Sequence, residues 1–504
     1  MKLGDFLTIS ARRAPFHPAV VFGSETVTYS ALERTANRLA NALEGLGLQH
    51  GDRIALMLPN SIALIEIMAA IFKTGGICVP VSVRLAPPEI KFIIENSAPF
   101  ALVYTPEIRE AVRDVVDQLP NMQFLVSGEA RQGEKSLEDL VLNTADQKVK
   151  NVLTRSDDAV ICYTSGTTGR PKGVVSTHRN LIISQGWLNA QEWGLKGTDR
   201  TLVATPMAHR TGIARVACAF CQASTLVVQE RFDPGETVRL IEKEKATHIG
   251  LVPTIANMIL AEIKKRPQAC KSLRCMLATG EVFPVKLKEK LFSLLPDLEL
   301  HSFYSQTEAG LVCNLRPEEQ TRFPDSLGKP VKGVEVRIVN RELKDVKSGE
   351  RGEILVRCGK PGSISLMREY FRQPGETKKV FPNNWLRTGD MAKANPEGYL
   401  YFVDRLKDMI VSGGLNVYSR EVEEALLSHP DIKGAAVIGV PDKTFGEAVK
   451  AFVIPVKNTN PSPDDLIAHC KTRIGSYKKP KYIQLVDALP RNSVGKVAKH
   501  LLRN

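Results

Sequence analysis

The sequence predicts an α/β protein with largely parallel sheets, followed by an antiparallel region and a second, smaller α/β unit. Short β-branched runs, such as 53–58, 77–83, 101–104 and 201–205, alternate with amphipathic helical runs, which is typical of parallel sheets covered by helices. From about Gly328 the pattern changes. The runs 334–339, 352–357 and 399–403 alternate apolar and polar residues, as in a small antiparallel barrel, and a further α/β unit follows Asp404.

Capping and glycine signals define the first elements. Ser30 and Glu33 have the spacing of a capping box, and apolar residues at helical spacing follow until Gly45. The buried strand 53–58 ends at Pro59, and the apolar run 62–72 predicts a core helix that ends at the glycine pair before Ile77.

Composition limits the function classes. The 504 residues, of which 43% are hydrophobic and 24% charged, predict an ordered globular chain of more than one domain. Among nine cysteines only Cys218 and Cys221 have metal or redox spacing, and their apolar surroundings favour simple burial. No signal pattern or membrane-length apolar run is present, so we expect a cytoplasmic protein. The net charge of +13 suits a polyanionic substrate as well as nucleic acid or anionic lipid.

The most informative stretch is a phosphate-binding loop between two β-branched runs, Tyr163-Thr-Ser-Gly-Thr-Thr-Gly-Arg-Pro-Lys172-Gly173. Its glycines and hydroxyls suit backbone N–H and side-chain O–H groups that surround phosphate oxygens, with Lys172 as the counter-charge. It is not a Walker loop, because Pro171 separates the last glycine from Lys172. An extended run follows, and the next helix N-cap is predicted at Thr177. A flexible surface loop is the alternative interpretation.

Four later stretches add groups that a nucleotide and a carboxylic acid need. The segment 301–308 supplies an aromatic ring, a hydroxyl and a carboxylate, suited to base stacking, phosphate binding and Mg²⁺ coordination. A carboxylate at Asp390 follows a tight turn, where it could bind ribose hydroxyls. The segment 404–416 combines a charge cluster with a glycine turn, and Lys496 follows a glycine near the end of the chain. Taken singly, each also fits a solvated turn, a linker or an exposed tail.

Together, the order and spacing of these motifs resemble the adenylate-forming superfamily, which includes acyl- and aryl-CoA synthetases, luciferases and the adenylation domains of peptide synthetases. The resemblance extends from about Phe6 to Lys496. It implies an N-terminal domain, residues 1–404, of layered α/β subdomains with a small β-barrel, and a mobile C-terminal α/β domain, residues 405–504. It also implies ATP, Mg²⁺ and CoA as cofactor and co-substrates, a small carboxylic acid as the other substrate, and no nucleic-acid partner. Peripheral membrane contact and the choice between monomer and homodimer stay open.

The resemblance assigns roles residue by residue. Lys496, Thr307 and Glu308 are the expected catalytic residues, and Glu308 with Thr164 is the expected Mg²⁺ site. Lys407 is the expected hinge, Gly413 and Gly414 are expected along the CoA tunnel, and His209 and Gly280 in the acyl pocket. The expected ATP- and AMP-binding residues are Thr164, Ser165, Gly166, Thr167, Thr168, Gly169, Lys172, Tyr304, Thr307, Asp390, Arg405 and Lys496.

Several positions depart from the family pattern. Thr279 and Ser305 stand where glycines are usual, Ser419 replaces a proline, and Ala208 replaces an aromatic residue and could widen the acyl pocket. Arg210 and Arg215, on the run after His209, could hold a second carboxylate of the substrate, although surface or ribose-side positions compete with this interpretation. The basic run 477–481 could bind CoA or simply face solvent.

The expected reaction is ATP-dependent acyl-AMP formation from a medium- or long-chain fatty acid, followed by transfer to CoA. An aryl or branched acid is the alternative within the superfamily. Amino-acid adenylation is less favoured, because the segment 207–216 has no aspartate to bind an amine. From other classes, an ATPase or phosphotransferase would use the same loop but cleave at the γ-phosphate, and a silent nucleotide-binding protein would need neither Glu308 nor Lys496.

Overall fold

The computed structural model describes residues 1–112, 122–147, 149, 157–164, 171–413, 415–491 and 497–503. By their internal contacts, the described residues form two compact units. The first comprises those of 1–164, 171–336 and 356–386, and the second comprises those of 337–355 and 387–503. The domain boundary expected at 404/405 stays a prediction.

Two large sheets with flanking helices make up the first unit. The larger sheet has nine strands in the order β16-β15-β14-β13-β12-β10-β11-β1-β2. Their bounds are β1 Pro18–Phe22, β2 Glu25–Thr28, β10 Arg200–Val203, β11 Thr225–Val228, β12 His248–Leu251, β13 Cys275–Thr279, β14 Glu299–Gln306, β15 Gly310–Leu315 and β16 Lys329–Pro330. The strands β11, β10, β12, β13 and β14 pair in parallel, as the alternation of strands and helices predicts.

The second sheet of this unit has eight strands in the order β19-β9-β8-β4-β3-β5-β6-β7. Their bounds are β3 Arg53–Met57, β4 Ile77–Pro80, β5 Ala101–Tyr104, β6 Gln123–Val126, β7 Glu134–Ser136, β8 Asp158–Thr164, β9 Lys172–Thr177 and β19 Glu369–Tyr370. The strands β8 and β9 pair antiparallel, with Thr164 opposite Lys172, so these two residues stand at the base of the predicted phosphate-binding loop.

Helices of the first unit cover both sheets. They are α1 Leu3–Arg13, α2 Tyr29–Gly45, α3 Ile62–Thr74, α4 Pro87–Ser97, α5 Leu137–Leu142, α6 (His178–Asn180, Leu181–Leu188 and Asn189–Glu192, the middle part wound as a π-helix), α7 Arg210–Gln222, α8 Pro234–Glu244, α9 Pro253–Lys265, α10 Val285–Leu294 and α11 Pro374–Val380. Thr177 is the N-cap of α6 as predicted, and its hydroxyl accepts a hydrogen bond from the N–H of Asn180 at 3.2 Å. The third helix ends at Gly75, whose φ of 89° requires a residue tolerant of the left-handed region.

The capping box predicted at Ser30 is wrong. Thr28 is the N-cap of α2, and its hydroxyl accepts from the N–H of Ala31 at 3.3 Å. The Glu33 carboxylate instead binds the buried ammonium of Lys73 at 2.8 Å, because a tertiary ion pair is available to it.

The second unit contains a four-stranded sheet in the order β17-β18-β20-β21 and a five-stranded sheet in which β23-β22-β25-β24 are neighbours and β26 pairs with β25. The strand bounds are β17 Glu335–Val339, β18 Gly352–Arg357, β20 Leu386–Ala394, β21 Leu400–Arg405, β22 Ile410–Ser412, β23 Leu415–Val417, β24 Ile432–Asp442, β25 Gly446–Pro455 and β26 Tyr482–Leu485, and the helices are α12 Ser419–Leu427 and α13 Pro463–Lys471. The predicted α/β class, with a large multi-sheet N-terminal part and a smaller C-terminal part, is confirmed.

Candidate active site

The turn between β14 and β15 carries three of the predicted site residues. Tyr304 lies near the end of β14 and is 9% exposed, and Thr307 and Glu308 form the turn before β15. The β14–β15 ladder shifts register between Tyr304 and Ser305, and this irregularity directly precedes the turn.

Two other chain segments hold this turn through main-chain carbonyls. Arg210, at the start of α7, donates to the carbonyl of Thr307 and, at 3.0 Å, to the carbonyl of Ser365. The Ser365 hydroxyl donates to the carbonyl of Ala309, and the N–H of Met367 donates to the carbonyl of Glu308 at 2.7 Å. The conformation of the turn therefore depends on a guanidinium that is 9% exposed. The hypothesis that Arg210 binds a substrate carboxylate is not supported, because its hydrogen bonds go to the protein backbone.

Lys172 and Glu308 meet around the ring of Tyr370. The Tyr370 hydroxyl donates to the Glu308 carboxylate at 3.0 Å, and the Lys172 ammonium lies 4.9 Å from the centroid of the same ring. Lys172 also forms an ion pair with Glu376 at 2.6 Å. Burial, and next the charge of Glu308, raise the pKa of the Tyr370 hydroxyl well above its ordinary value, so the group stays a hydrogen-bond donor. The phosphate-loop lysine and the predicted Mg²⁺ ligand thus face the same tyrosine.

Two departures from the family pattern are in contact with each other. The hydroxyls of Thr279, the last residue of β13, and Ser305 are 2.9 Å apart, and Thr279 also donates to the carbonyl of Phe303 at 3.0 Å. Since Thr279 uses its one proton on that carbonyl, Ser305 must be the donor of the pair. Next to Thr279, Gly280 has a φ of 95°. The glycine-to-hydroxyl exchanges therefore form one hydrogen-bonded unit at the carboxyl ends of parallel strands.

His209 is the residue before α7. Its carbonyl accepts hydrogen bonds from the N–H groups of Gly212 at 2.9 Å and Ile213 at 3.2 Å, so it acts as the N-cap of this helix through its backbone. Gly212 is packed so closely that an added Cβ would lie 2.4 Å from the Cα of Met207. The His209 backbone is therefore tightly placed at the start of the helix that also carries Arg210.

In the second unit, Asp390 and Arg405 face each other as register partners on β20 and β21, with 3.6 Å between Oδ1 and Nε. Asp390 is 5% exposed. Burial, and next the charge of Arg405, lower the pKa of Lys407. Gly413 has a φ of 57° in the turn between β22 and β23, where its N–H donates to the carbonyl of Phe445 at 2.9 Å.

The basic run 477–481 is partly neutralised within this unit. Lys478 pairs with Glu421 and Lys481 with Asp442, each at 2.5 Å. Two of its three lysines thus have internal partners, which weakens the interpretation of the run as a CoA site.

Some predicted site residues lie outside the described part of the chain. They are Ser165, Gly166, Thr167, Thr168, Gly169, Gly414 and Lys496. Sequence reasoning missed the supporting residues Tyr370, Ser365 and Glu376, which belong to residues 356–386, the last segment of the first unit. No motif marks them, and the only sequence signal is the aromatic pair Tyr370-Phe371, of which Tyr370 lies on the short strand that pairs with β9.

The residues present fit a Mg²⁺ ion brought by a nucleotide. Magnesium at phosphate sites usually takes one or two carboxylates, with phosphate and water oxygens as the other ligands. Glu308 offers a carboxylate oxygen, and Thr164 a hydroxyl beside Lys172. Within the described residues, no cluster of three acidic, histidine or cysteine side chains would form an all-protein metal site.

Three described features fit an adenylate-forming enzyme: the strand pair that places Thr164 opposite Lys172, the segment Tyr304–Glu308 held through its carbonyls, and a smaller C-terminal unit. The family model for AMP-binding enzymes matches residues 7–371, and that for their C-terminal domain matches residues 421–496. The chain therefore belongs to the AMP-binding enzyme family. It is an AMP-forming acid–thiol ligase of the acyl-CoA synthetase branch, and ATP and CoA fit this family as substrates.

Similar proteins cover nearly the whole chain. A feruloyl-CoA synthase of Amycolatopsis sp is 34% identical over 99% of this chain and 98% of its own length. The long-chain-fatty-acid–CoA ligase FadD13 of Mycobacterium tuberculosis is 32% identical over 95% of this chain and 92% of its own. The structure of o-succinylbenzoate CoA synthetase from Bacillus subtilis with its acyl-adenylate has a TM-score of 0.87 at 29% identity, covering 99% of this chain and 98% of that one.

Proposed function

We propose that this enzyme activates a carboxylic acid as its acyl-adenylate, releasing pyrophosphate, and then transfers the acyl group to CoA. The observation that carries the proposal is that Lys172 and Glu308 both contact the side chain of Tyr370. A carboxylate that attacks the α-phosphate of ATP must approach another anion, so positive charge and orientation are the main requirements of this step.

The residues divide this work. Lys172 would bind phosphate oxygens in exchange for its ion pair with Glu376. Glu308 and Thr164 would hold Mg²⁺, which supplies charge neutralisation at the departing pyrophosphate when bound. Tyr304 would stack on adenine, and Asp390 would accept hydrogen bonds from the ribose hydroxyls. Lys496 is proposed to contact both the acid and the α-phosphate.

In the second step, the CoA thiolate attacks the acyl carbonyl carbon, a C–S bond forms, and the C–O bond to AMP breaks, so that AMP leaves. This step does not require Lys496. The glycine turn at Gly413 and Gly414 is proposed to border the pantetheine path, and Lys407 to act as the hinge that exchanges the two states.

The identity of the acid separates two candidates. A medium- or long-chain fatty acid is the first, in line with the similarity to FadD13. An aryl acid is the second, and the Thr279–Ser305 pair favours it, because the two hydroxyls place polar groups where glycines are usual. Similarity to a feruloyl-CoA synthase and to a 2-succinylbenzoate–CoA ligase of Bacillus licheniformis, which is 33% identical over 99% of both chains, supports the same class.

A pyrophosphate-release screen tests the proposal. The full-length enzyme is incubated with Mg·ATP, CoA and fatty, aromatic, dicarboxylic or amino acids, and pyrophosphate, AMP and thioester are measured. We expect one of each product per turnover with at least one of the first three acid classes. Release of orthophosphate and ADP instead would identify an ATPase or phosphotransferase and reject the proposal.

Partial reactions test the role of Lys496. K496A should lose adenylation by at least about 100-fold, as expected for a group that orients two reactants, and should keep thioester formation from supplied acyl-adenylate. The matched control is K457A, which changes an exposed lysine of the same unit. Equal loss of both half-reactions in K496A would contradict the assignment.

A further inference from the structure

The helix α7 carries a second buried arginine, Arg215, whose surroundings differ from those of Arg210. Arg215 is 7% exposed, and its guanidinium carbon lies 4.5 Å from the centroid of the Trp193 ring. On the sheet side the guanidinium packs against Gly250 of β12, where an added Cβ would lie 2.6 Å from Nη2. The guanidinium therefore occupies the space that a side chain at position 250 would fill.

Arg215 has no counter-ion within the part of the chain that the structure describes. Among the residues that the structure describes, it has no hydrogen bond or ion pair, and its buried Nη1 has no acceptor. The Asp199 carboxylate, which like Arg215 acts electrostatically on His248, is engaged by Arg274 at 3.3 Å and by the Thr247 hydroxyl at 2.9 Å. A buried charge without a partner is costly, and a cation–π contact offsets only part of that cost. This imbalance points to a partner that comes from outside the chain.

A second buried polar group without a partner belongs to the neighbouring segment. Gln185, in the π-helical part of α6, is 2% exposed, and neither its amide nitrogen nor its amide oxygen has a hydrogen-bond partner within the described residues. The thiol of Cys218, one turn after Arg215, donates to the Gln185 carbonyl at 2.9 Å, so the two helices are in direct contact here. The Arg215 guanidinium and the Gln185 amide are thus two unsatisfied buried groups on adjoining segments, and each needs a partner.

The position of Arg215 places it below the proposed acyl site. Gly250 pairs in register with Leu277 of β13, and Thr279 is two residues further along the same strand and on the same face. Two residues of a strand span about 7 Å. The guanidinium is therefore about one such step from Thr279, toward the amino ends of these parallel strands.

We propose that Arg215 binds a hydrogen-bond-accepting oxygen, most strongly a second carboxylate, at the end of the acid substrate remote from the carboxyl group that is activated. Gln185 is the second donor. This inference rests on the proposed function, since it names the acid class for the same site. A plain alkyl tail would displace water from Arg215 and Gln185 without replacing its hydrogen bonds, so the enzyme would discriminate against it.

Pairs of acids that differ only at the far end test the inference. Octanoate is compared with octanedioate, and cinnamate with 4-methoxycinnamate and 4-carboxycinnamate, by kcat/KM for pyrophosphate release with the full-length wild-type enzyme. We expect the oxygen-bearing member of at least one pair to be preferred by 10-fold or more. Equal or reversed preference in all three pairs overturns the inference, whereas no pyrophosphate from any acid rejects the proposed function itself.

Variants then assign the preference to Arg215. R215M should lower kcat/KM for the preferred acid by at least 100-fold and leave the rate with its unsubstituted partner within a few-fold, and R215K should recover part of the preference. The control R200M removes a partly exposed arginine that pairs with Glu244 at 2.8 Å and should keep the wild-type ratio. A preference ratio in R215M equal to that of wild type excludes Arg215 as the ligand. If R215M does not fold, R215K and Q185L are measured instead, and each is expected to reduce the ratio.

Discussion

Replacing Arg210 by methionine tests whether this residue holds the turn between β14 and β15 or binds the substrate. The Arg210 guanidinium gives two hydrogen bonds to carbonyls, those of Thr307 and Ser365. Hydrogen bonds from a charged donor are worth about 1.5–3 kcal/mol each, so their loss costs about 3–6 kcal/mol. Burial lowers the pKa of Arg210 from 12.5 to about 10, and removing that buried charge returns about 3 kcal/mol. The net loss of stability is therefore only about 0–3 kcal/mol.

Activity should change much more than stability. Once the Thr307 carbonyl is released, Glu308 and Thr307 lose their fixed positions, and a displacement of about 1 Å at a reacting group costs about 100-fold in rate. We expect R210M to lower kcat/KM, measured by pyrophosphate release, about 100-fold, and by the same factor for every acid. Urea unfolding should show that the variant is still folded. R210K, which can donate to one carbonyl, should lie between. A variant that loses only dicarboxylic acids and keeps its rate with monocarboxylic acids would refute this reasoning.

Two further predictions concern single groups. Y370F removes the hydroxyl that binds Glu308 and should raise the Mg²⁺ concentration for half-maximal rate by about 10-fold or more, as expected for one hydrogen bond to a charged group. We expect kcat at saturating Mg²⁺ to stay within about 3-fold of wild type. An unchanged Mg²⁺ titration would contradict this prediction. Burial raises the pKa of the Glu66 carboxyl from 4.5 to about 7, so the folded state retains a proton there that the unfolded chain has lost, and stability falls as pH rises through this window. E66Q should remove that fall. In urea unfolding, the free energy of unfolding of E66Q minus that of wild type should therefore grow between pH 4.5 and about 7 and then level. A difference that stays constant with pH would count against the assignment.

The fold class and the motif-bearing elements could be predicted because they depend on local information. Strand and helix alternation set the parallel order of β11, β10, β12, β13 and β14, and Thr177 acts as the predicted N-cap since capping involves only its own helix turn. The prediction failed at Ser30, where two hydroxyl residues compete for one cap and the distant Lys73 binds Glu33. Local spacing contains no information on such a tertiary partner.

Membrane attachment by a spanning helix finds no support within the described ranges, because none of their helices combines the length and apolar character that crossing a bilayer requires.

The two cysteines with metal spacing lie in the interior. Cys218 donates to the Gln185 carbonyl, and Cys221 packs beside Gly186, where an added Cβ would lie 2.4 Å from its sulfur. Their close spacing in the sequence thus reflects helix packing.

The sequence by itself determined the family, because a motif needs particular residue types at a particular spacing, and Lys172, Tyr304, Glu308 and Asp390 stand in the order of the family's motifs. Only the tertiary structure distinguished the two arginines of α7. Arg210 binds two backbone carbonyls, whereas Arg215 lies buried against Gly250 and Trp193 with no counter-ion among the described residues. The physical reason is that the sequence shows which side chains carry a charge, whereas residues far away in the chain determine which groups each charge contacts.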